Sequence, residues 1–190
     1  MHFVKFVLCC FATITSAGRF HKRQNADGSV SFELYAYGDG IGGLPVMSDG
    51  SQVFIGSLDG LDRTAGAVVT FTIGQDGIWY GFPNSTSTAG NTTPIWSNLT
   101  LSIPSPSSGS DAVHLDKPSS TTVDRISDGF GFYGTVAYHL ASGGAFESLW
   151  AAGELGSGKD LTAIQWNKTD STTDTVPIIL KSTPPSSGVP

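Results

Sequence analysis

The chain has 190 residues, and its 10 basic and 16 acidic side chains give a net charge of −6 at pH 7. This length suits one domain, and the acidic balance repels phosphate backbones, so no nucleic-acid partner is expected. No apolar run is long enough for a transmembrane helix, and we therefore expect no membrane insertion.

Residues 1–17 have the pattern of a secretory signal peptide, with a basic residue, an apolar run and small residues up to Ala17. A dibasic pair, Lys22 and Arg23, follows closely. We interpret 18–23 as a pro-segment that is cut after Arg23; the alternative is a solvated basic patch. Loss of both segments would leave 6 basic and 16 acidic residues, a net charge of 6 − 16 = −10. The expected product is secreted, and either extracellular or associated with the cell wall.

Both cysteines, Cys9 and Cys10, lie inside the predicted signal peptide. The mature chain would therefore have neither a disulfide nor a cysteine metal site, and its stability must come from its core and its backbone hydrogen bonds. Four N-x-S/T sequons agree with export and predict N-glycosylation. The asparagines are Asn84, Asn91, Asn98 and Asn167.

Alternation of apolar and polar residues predicts a first strand at 30–35, with Phe32 and Leu34 on its buried face. A glycine-rich bend and the Asp-Gly turn at 49–50 then lead into a second apolar run at 53–55. Later strands are predicted at 67–74, 78–82, 95–103, 112–115, 129–140, 145–151, 161–166 and 176–182.

Turn residues and side-chain faces are predicted for several of these strands. An Asp-Gly pair at 76–77 should close a hairpin, and the polar stretch 83–93 should be an exposed loop. In 95–103 the alternation predicts that Ile95 and the other odd-numbered positions share the buried face, whereas Trp96, Asn98, Thr100 and Ser102 share the solvent face. Residues 129–140 are apolar on both sides, which favours a central strand.

Short strands, abundant glycine and turns about every 8–12 residues favour an all-β fold, specifically an antiparallel β-sandwich or jelly roll. We expect a single domain at 24–182, followed by a flexible tail at 183–190. Phe71, Leu101 and Phe132 are predicted to lie in its core.

Two glutamates are candidates for catalysis. Glu33 and Glu147 each fall within a predicted strand among aromatic residues. A pair of carboxyl groups facing each other across a cleft is the arrangement used in glycoside hydrolysis. The alternative is that both are ordinary outward-facing side chains.

Five aromatic residues are candidates for glycan binding, because a flat platform of exposed rings can stack on sugars. They are Tyr35, Tyr37, Trp79, Trp96 and Tyr133. The alternative for each is that it packs against a second sheet or a loop.

Other motifs do not predict a catalytic or cofactor site. Residues 38–43 match G-x-G-x-x-G, but a turn follows where a nucleotide site needs a helix, so we interpret them as a strand connection. His114 and His139 are the only histidines after the predicted pro-segment, and the chain has no G-x-S-x-G elbow. No cofactor or metal is expected.

The segments F-E-L-Y-A-Y-G, I-G-G-L-P-V, G-F-x-F-Y-G and F-E-S-L-W together resemble small secreted glycoproteins of filamentous fungi. The resemblance implies an extracellular compartment and a β-rich domain, and it assigns no catalytic residue. Three functions are therefore open: a non-enzymatic protein that binds cell-wall or host glycans, a hydrolase or lyase acting on glycans, and a protein-interaction or structural surface protein. A monomer or weak oligomer is expected.

Overall fold

The computed structural model describes residues 23–24, 30–118, 124–154, 161–168 and 175–186. The predicted signal peptide, with Ala17, and most of the pro-segment, with Lys22, lie outside these ranges. The described residues form sixteen strands and two short 3-10 turns, Leu58–Gly60 and Gln75–Gly77. The strands are β1 Arg23–Gln24, β2 Val30–Glu33, β3 Tyr35–Gly38, β4 Ile41–Ser48, β5 Val53–Gly56, β6 Ala67–Ile73, β7 Trp79–Thr88, β8 Leu99–Pro104, β9 His114–Asp116, β10 Arg125–Ile126, β11 Phe130–Tyr133, β12 Val136–Leu140, β13 Phe146–Glu147, β14 Trp150–Glu154, β15 Leu161–Trp166 and β16 Val176–Lys181.

Six of the strands close a barrel. The order is β3, β4, β5, β15, β14 and β16, and β16 pairs back with β3. Every pairing in this circuit is antiparallel. The prediction of an all-β, antiparallel single domain is confirmed.

Two sheets extend from the barrel and stack on each other as the layers of a sandwich do. One continues from β4 through β6 and β7 to β8, which carries β9 and β10, while β1 and β2 add to β6. The other continues from β16 to β12, which carries β11 and β13. The space between the two extensions is filled by side chains, so the core runs on from the barrel without a break.

Aromatic side chains hold these two extensions together. Trp79 is fully buried, and its ring centroid lies 5.0 Å from that of Phe32 on its own side and 4.8 Å from that of Phe132 on the other. Phe71 and Leu101 are also buried, and Phe132 packs against the core. The three predicted core positions are therefore confirmed.

A smaller apolar cluster lies on the opposite side of the barrel wall. Its centre is formed by Met47, Phe54 and Leu161, and Leu61 covers it from the loop that follows β5. The loop is shaped by the 3-10 turn Leu58–Gly60, in which the Asp59 N–H donates to the Ser57 hydroxyl oxygen. Strands β4, β5 and β15 are consequently buried on both faces.

The strand predicted at 30–35 serves both sheets. Its first part, β2, pairs with β6, and its second part, β3, pairs with β4 and β16. The change occurs at Leu34, whose carbonyl oxygen accepts a hydrogen bond of 2.8 Å from the Val46 N–H. Because Phe32, Leu34 and Ala36 all face the core, the residues between them face outward throughout.

The strand predicted at 95–103 begins later than the alternation suggests. Asn98 has a φ of 53°, in the left-handed region that asparagine tolerates, and β8 starts only at the next residue. Ile95, predicted to be buried, is fully exposed, whereas the expected burial of Leu99 is confirmed. The alternation before Asn98 was therefore not that of a strand.

Residues 129–140 form a hairpin and not one central strand. β11 and β12 are joined by a tight turn at Gly134, where φ is 63°. Because the turn reverses the chain, Ala137 and His139 face the core, and Val136 and Tyr138 face outward. The apolar character on both sides, which suggested a central strand, comes from two strands with opposite orientations.

The prediction of an exposed loop at 83–93 is wrong for its first part, because β7 runs to Thr88. Val69 lies opposite Pro83 and Ala67 opposite Thr88, so residues 84–87 bulge out beside the single residue between Ala67 and Val69. The polar residues that suggested a loop are displayed on this bulge.

Both predicted Asp-Gly turns are confirmed. Asp49 accepts backbone hydrogen bonds from Ser51 and Gln52 through its Oδ1 atom, which closes the connection between β4 and β5. Asp76 and Gly77 have φ values of 54° and 73°, the left-handed pair that a two-residue hairpin turn needs. The second turn also packs against the other layer, since the Gly129 N–H donates to the Asp76 carbonyl oxygen at 2.8 Å.

We expect Gly77→Ala to lower the free energy of unfolding by about 2–4 kcal/mol, as measured by urea denaturation. A Cβ atom at Gly77 would lie 2.7 Å from the carbonyl oxygen of Phe130 and 2.8 Å from its nitrogen, and the residue has a positive φ. Gly134→Ala is the matched control, because its φ is 63° but no heavy atom lies within 4 Å of a Cβ there. The control should lose about 1 kcal/mol; equal losses in both variants would contradict the packing of this turn on β11.

Candidate functional site

Four of the five tyrosines lie on one outer sheet surface, formed by β4, β3, β16, β12, β11 and β13. We call this surface the tyrosine face. Its aromatic members are Tyr35, Tyr37, Tyr133, Tyr138 and Phe146. They face outward because their neighbours along the strands, such as Ala36 and Ala137, face the core.

Register places Tyr35 and Tyr133 in one row that crosses four strands of the tyrosine face. Lys181 of β16 lies opposite Tyr35 on one side and opposite Val136 on the other. Val136 in turn lies opposite Tyr133. Side chains at paired positions project to the same side of a sheet, so these four form a row across the face.

The two ends of the tyrosine face differ in exposure. At the β11–β13 end, Tyr133 is 80% exposed and Phe146 is 65% exposed. The Phe146 ring meets that of Tyr138 edge to face, with centroids 4.7 Å apart. At the β3 end, Tyr35 and Tyr37 are half-buried, and Nζ of Lys181 lies 5.0 Å from the centroid of the Tyr37 ring. A flat apolar ligand therefore has free access to only one end.

Glu33 lies at the edge of the tyrosine face, and both of its carboxylate oxygens are hydrogen-bonded. The Tyr35 hydroxyl donates to Oε2 at 2.7 Å, and Nδ2 of Asn84 donates to Oε1 at 2.7 Å. Burial, together with the hydrogen bond to Glu33 and its negative charge, raises the pKa of Tyr35 well above its usual range. Tyr35 is therefore a fixed donor that holds the carboxylate in place.

Glu33 and Glu147 are not brought together. Glu33 lies between two core-facing residues and so projects outward, whereas Glu147 lies opposite the core-facing His139 and projects to the inner side. Tyr35 lies level with Val136 across β16, Glu33 lies two residues before Tyr35, and Glu147 lies opposite His139, three residues beyond Val136. This offset along the strands corresponds to about 16 Å, more than the roughly 5–10 Å that paired catalytic carboxylates need. The geometry does not support a two-carboxylate mechanism.

Glu147 instead accompanies a buried histidine. Oε2 of Glu147 lies 3.6 Å from Nδ1 of His139, and His139 is only 6% exposed. The His139 ring packs between Phe130 and Trp166, with centroid distances of 5.7 Å and 5.9 Å. His139 is therefore a histidine packed among aromatic rings, with the Glu147 carboxylate beside it.

The predicted tryptophans are not part of the platform. Trp79 has no exposed surface, because it fills the space between the two layers, so its prediction as a glycan-binding residue is wrong. Trp96 packs against the core, and its Nε1 donates to the Ala65 carbonyl oxygen at 2.6 Å. Its ring also covers Gly50, so the structure corrects the prediction of a sugar-stacking ring here as well.

Three of the four sequon asparagines are exposed, and the fourth, Asn84, lies on the bulge of β7. Asn91, Asn98 and Asn167 are exposed, and the last two have φ values of 53° and 52°. Asn84 is half-buried, and its Oδ1 accepts hydrogen bonds from the backbone N–H and the hydroxyl of Thr86. Glycosylation of these residues stays a prediction.

A polar cluster that the sequence did not reveal lies on the outer side of β8. The hydroxyl of Ser102 is hydrogen-bonded to Asp116, and Nη1 of Arg125 donates to Ser102 at 3.3 Å and to the Ala112 carbonyl oxygen at 3.2 Å. His114, next to Ser102 in the register, has a lowered pKa because it is partly buried and lies near Arg125. These residues come from three strands, and no spacing along the chain links them.

Within the described ranges, no group of three or more His, Cys, Asp or Glu side chains is arranged to hold a metal ion. No helix in the same ranges has the length and apolar character needed to cross a membrane. No protein-family model, no curated protein and no solved structure matches this chain. The resemblance to secreted fungal glycoproteins therefore stays a prediction.

We expect the stability of the protein to fall on acidification below about pH 6.5, and we expect His114→Gln to reduce this fall. The pKa of His114 is lower in the folded than in the unfolded chain, so the unfolded chain binds more protons below the unfolded value of about 6.5. The free energy of unfolding should therefore rise with pH through this window. Urea denaturation at several pH values from 5 to 8 measures it. Identical slopes in the two proteins would contradict the assignment.

Proposed function

We propose that the protein is a secreted, N-glycosylated, non-enzymatic protein that binds cell-wall or host glycans on its tyrosine face. The observation that carries the proposal is the concentration of four of the five tyrosines, with Phe146, on one outer surface. The predicted signal peptide at 1–17 supports export, and the four sequons support glycosylation.

The chemistry of the tyrosine face suits sugars. Sugar rings carry apolar C–H faces that stack on aromatic rings, and their hydroxyl groups pair with phenolic hydroxyls. Tyr133 and Phe146 are large, exposed and fixed on strands, so little conformational entropy is lost when they bind. Large exposed apolar surface on a small protein also marks interaction sites in general.

A catalytic function has less support from the same geometry. The carboxylate of Glu33 is hydrogen-bonded at both oxygens, and Glu147 lies on the other side of the sheet. Neither glutamate therefore has the facing partner that glycoside hydrolysis requires. A protein-interaction function would use the same exposed aromatic residues, and the binding experiment below separates it from glycan binding.

We expect the purified protein to be retarded in gels that contain a cell-wall polysaccharide, and we expect Tyr133→Ala to weaken this binding about three- to tenfold. Loss of one aromatic stacking partner is expected to have an effect of that size. Affinity electrophoresis against β-glucan, chitosan, xylan and mannan provides the measurement, and a glycan array extends it to host glycans. Phe146→Ala should weaken binding in the same way.

Tyr80→Ala is the matched control, because Tyr80 is the one tyrosine on the other sheet extension, where it lies opposite Thr100. Its binding should equal that of the unaltered protein, with thermal unfolding used to show that each variant is folded. If Tyr133→Ala and Phe146→Ala bind as tightly as the unaltered protein, the tyrosine face is not the binding surface. If the protein binds none of the polysaccharides and glycans tested, a protein partner is favoured.

A further inference from the structure

The chain that follows β16 turns back across the tyrosine face. After Lys181, the Ser182 N–H donates to the Thr135 carbonyl oxygen at 2.9 Å. The Thr183 carbonyl oxygen then accepts a hydrogen bond of 2.9 Å from the Tyr37 hydroxyl. Two residues later, Pro185 lies against Gly43 of β4. Residues 183–185, which we call the return segment, thus pass from β16 to β4 over the intervening strand β3.

The contact at Gly43 is close enough to require glycine. A Cβ atom there would lie 2.8 Å from Cβ of Pro185 and 3.0 Å from its Cδ, and Gly43 has a φ of 88°. The proline ring therefore packs directly on the β4 backbone. The sequence prediction of a flexible tail at 183–190 did not include this contact.

The return segment also explains why the β3 end of the tyrosine face is less exposed than the β11–β13 end. Tyr37 makes two contacts: Nζ of Lys181 lies over its ring, and its hydroxyl donates a hydrogen bond to the Thr183 carbonyl oxygen. Residues 184 and 185 are both proline, which restricts the segment to extended conformations before it docks. Extended proline-rich segments commonly dock on aromatic-lined surfaces. Here the docked contacts are the Tyr37 hydroxyl on the Thr183 carbonyl oxygen and Pro185 on Gly43.

We propose that the return segment is an intramolecular ligand of the tyrosine face and competes with glycan for its β3 end. The proposal rests on the proposed function, because it concerns the regulation of the same surface. A glycan chain that extends from Tyr133 to Tyr37 must displace residues 183–185. The apparent affinity is then reduced by the fraction of molecules in which the segment is docked.

Two truncated chains test the proposal. A chain that ends at Ser182 lacks the return segment, and a chain that ends at Ser186 keeps it and serves as the matched control. We expect the shorter chain to bind the polysaccharide about two- to tenfold more tightly, the range expected for loss of one hydrogen bond and its packing. Equal affinities of the two truncated chains would overturn the proposal.

A second measurement does not depend on glycan. Tyr37 should react faster with tetranitromethane in the chain that ends at Ser182 than in the chain that ends at Ser186, as quantified by peptide mass spectrometry. Tyr133, which is exposed, provides the internal reference. If glycan binds but Tyr37 is nitrated at the same rate in the two truncated chains, this inference is overturned and the proposed function stands. Faster Tyr37 nitration without any glycan binding would overturn the proposed function and the competition, and would leave the docking of the segment supported.

Discussion

The contact on which the rest of the structure depends is the packing of Trp79 between the two stacked sheet extensions. None of the described residues is a cysteine, so within the described part of the chain apolar contact across the layers takes the place of the disulfides that stabilise many small domains. The Trp79 ring contacts Phe32 on its own sheet and both Phe130 and Phe132 on the other. Burial of each such ring contributes on the order of 2–3 kcal/mol. Nε1 of Trp79 has no hydrogen-bond partner among the described residues, a polar cost that this packing offsets.

The packing of the core also determines which side chains of β2 and β3 face outward. Because Phe32 and Leu34 pack in the core, the two-residue period of a strand places Glu33 and Tyr35 on the outer side. A shift of one residue in the register would bury the tyrosines and expose the core. The tyrosine face is therefore a consequence of the packing between the layers, and it is as rigid as the sheet that carries it. The return segment after β16 lies on this face, where it contacts Tyr37 and Gly43.

Alternation and turn chemistry predicted the fold class and most strands, because both are local signals. The Asp-Gly turns formed as expected, and the alternation around Phe71 reported its buried face correctly. The errors came from long-range effects. The β11–β12 hairpin reversed the faces of residues after Gly134, which no local period reveals. Likewise, Ser102 was expected on an outward face but is buried, since Arg125 reaches it from a strand that is distant in the sequence.

The same long-range effects separate the candidates for binding from those for catalysis. Tyr35 and Tyr37 needed only the local period to be placed on an outer face, so sequence alone placed them correctly. The relation between Glu33 and Glu147 depends instead on three strand pairings and on the side that each strand presents. As a result, the Glu33 carboxylate faces outward and accepts hydrogen bonds from Tyr35 and Asn84. The Glu147 carboxylate faces inward and lies beside His139. This geometry removes the two-carboxylate arrangement for Glu33 and Glu147, and it supports the proposal that the tyrosine face binds a ligand.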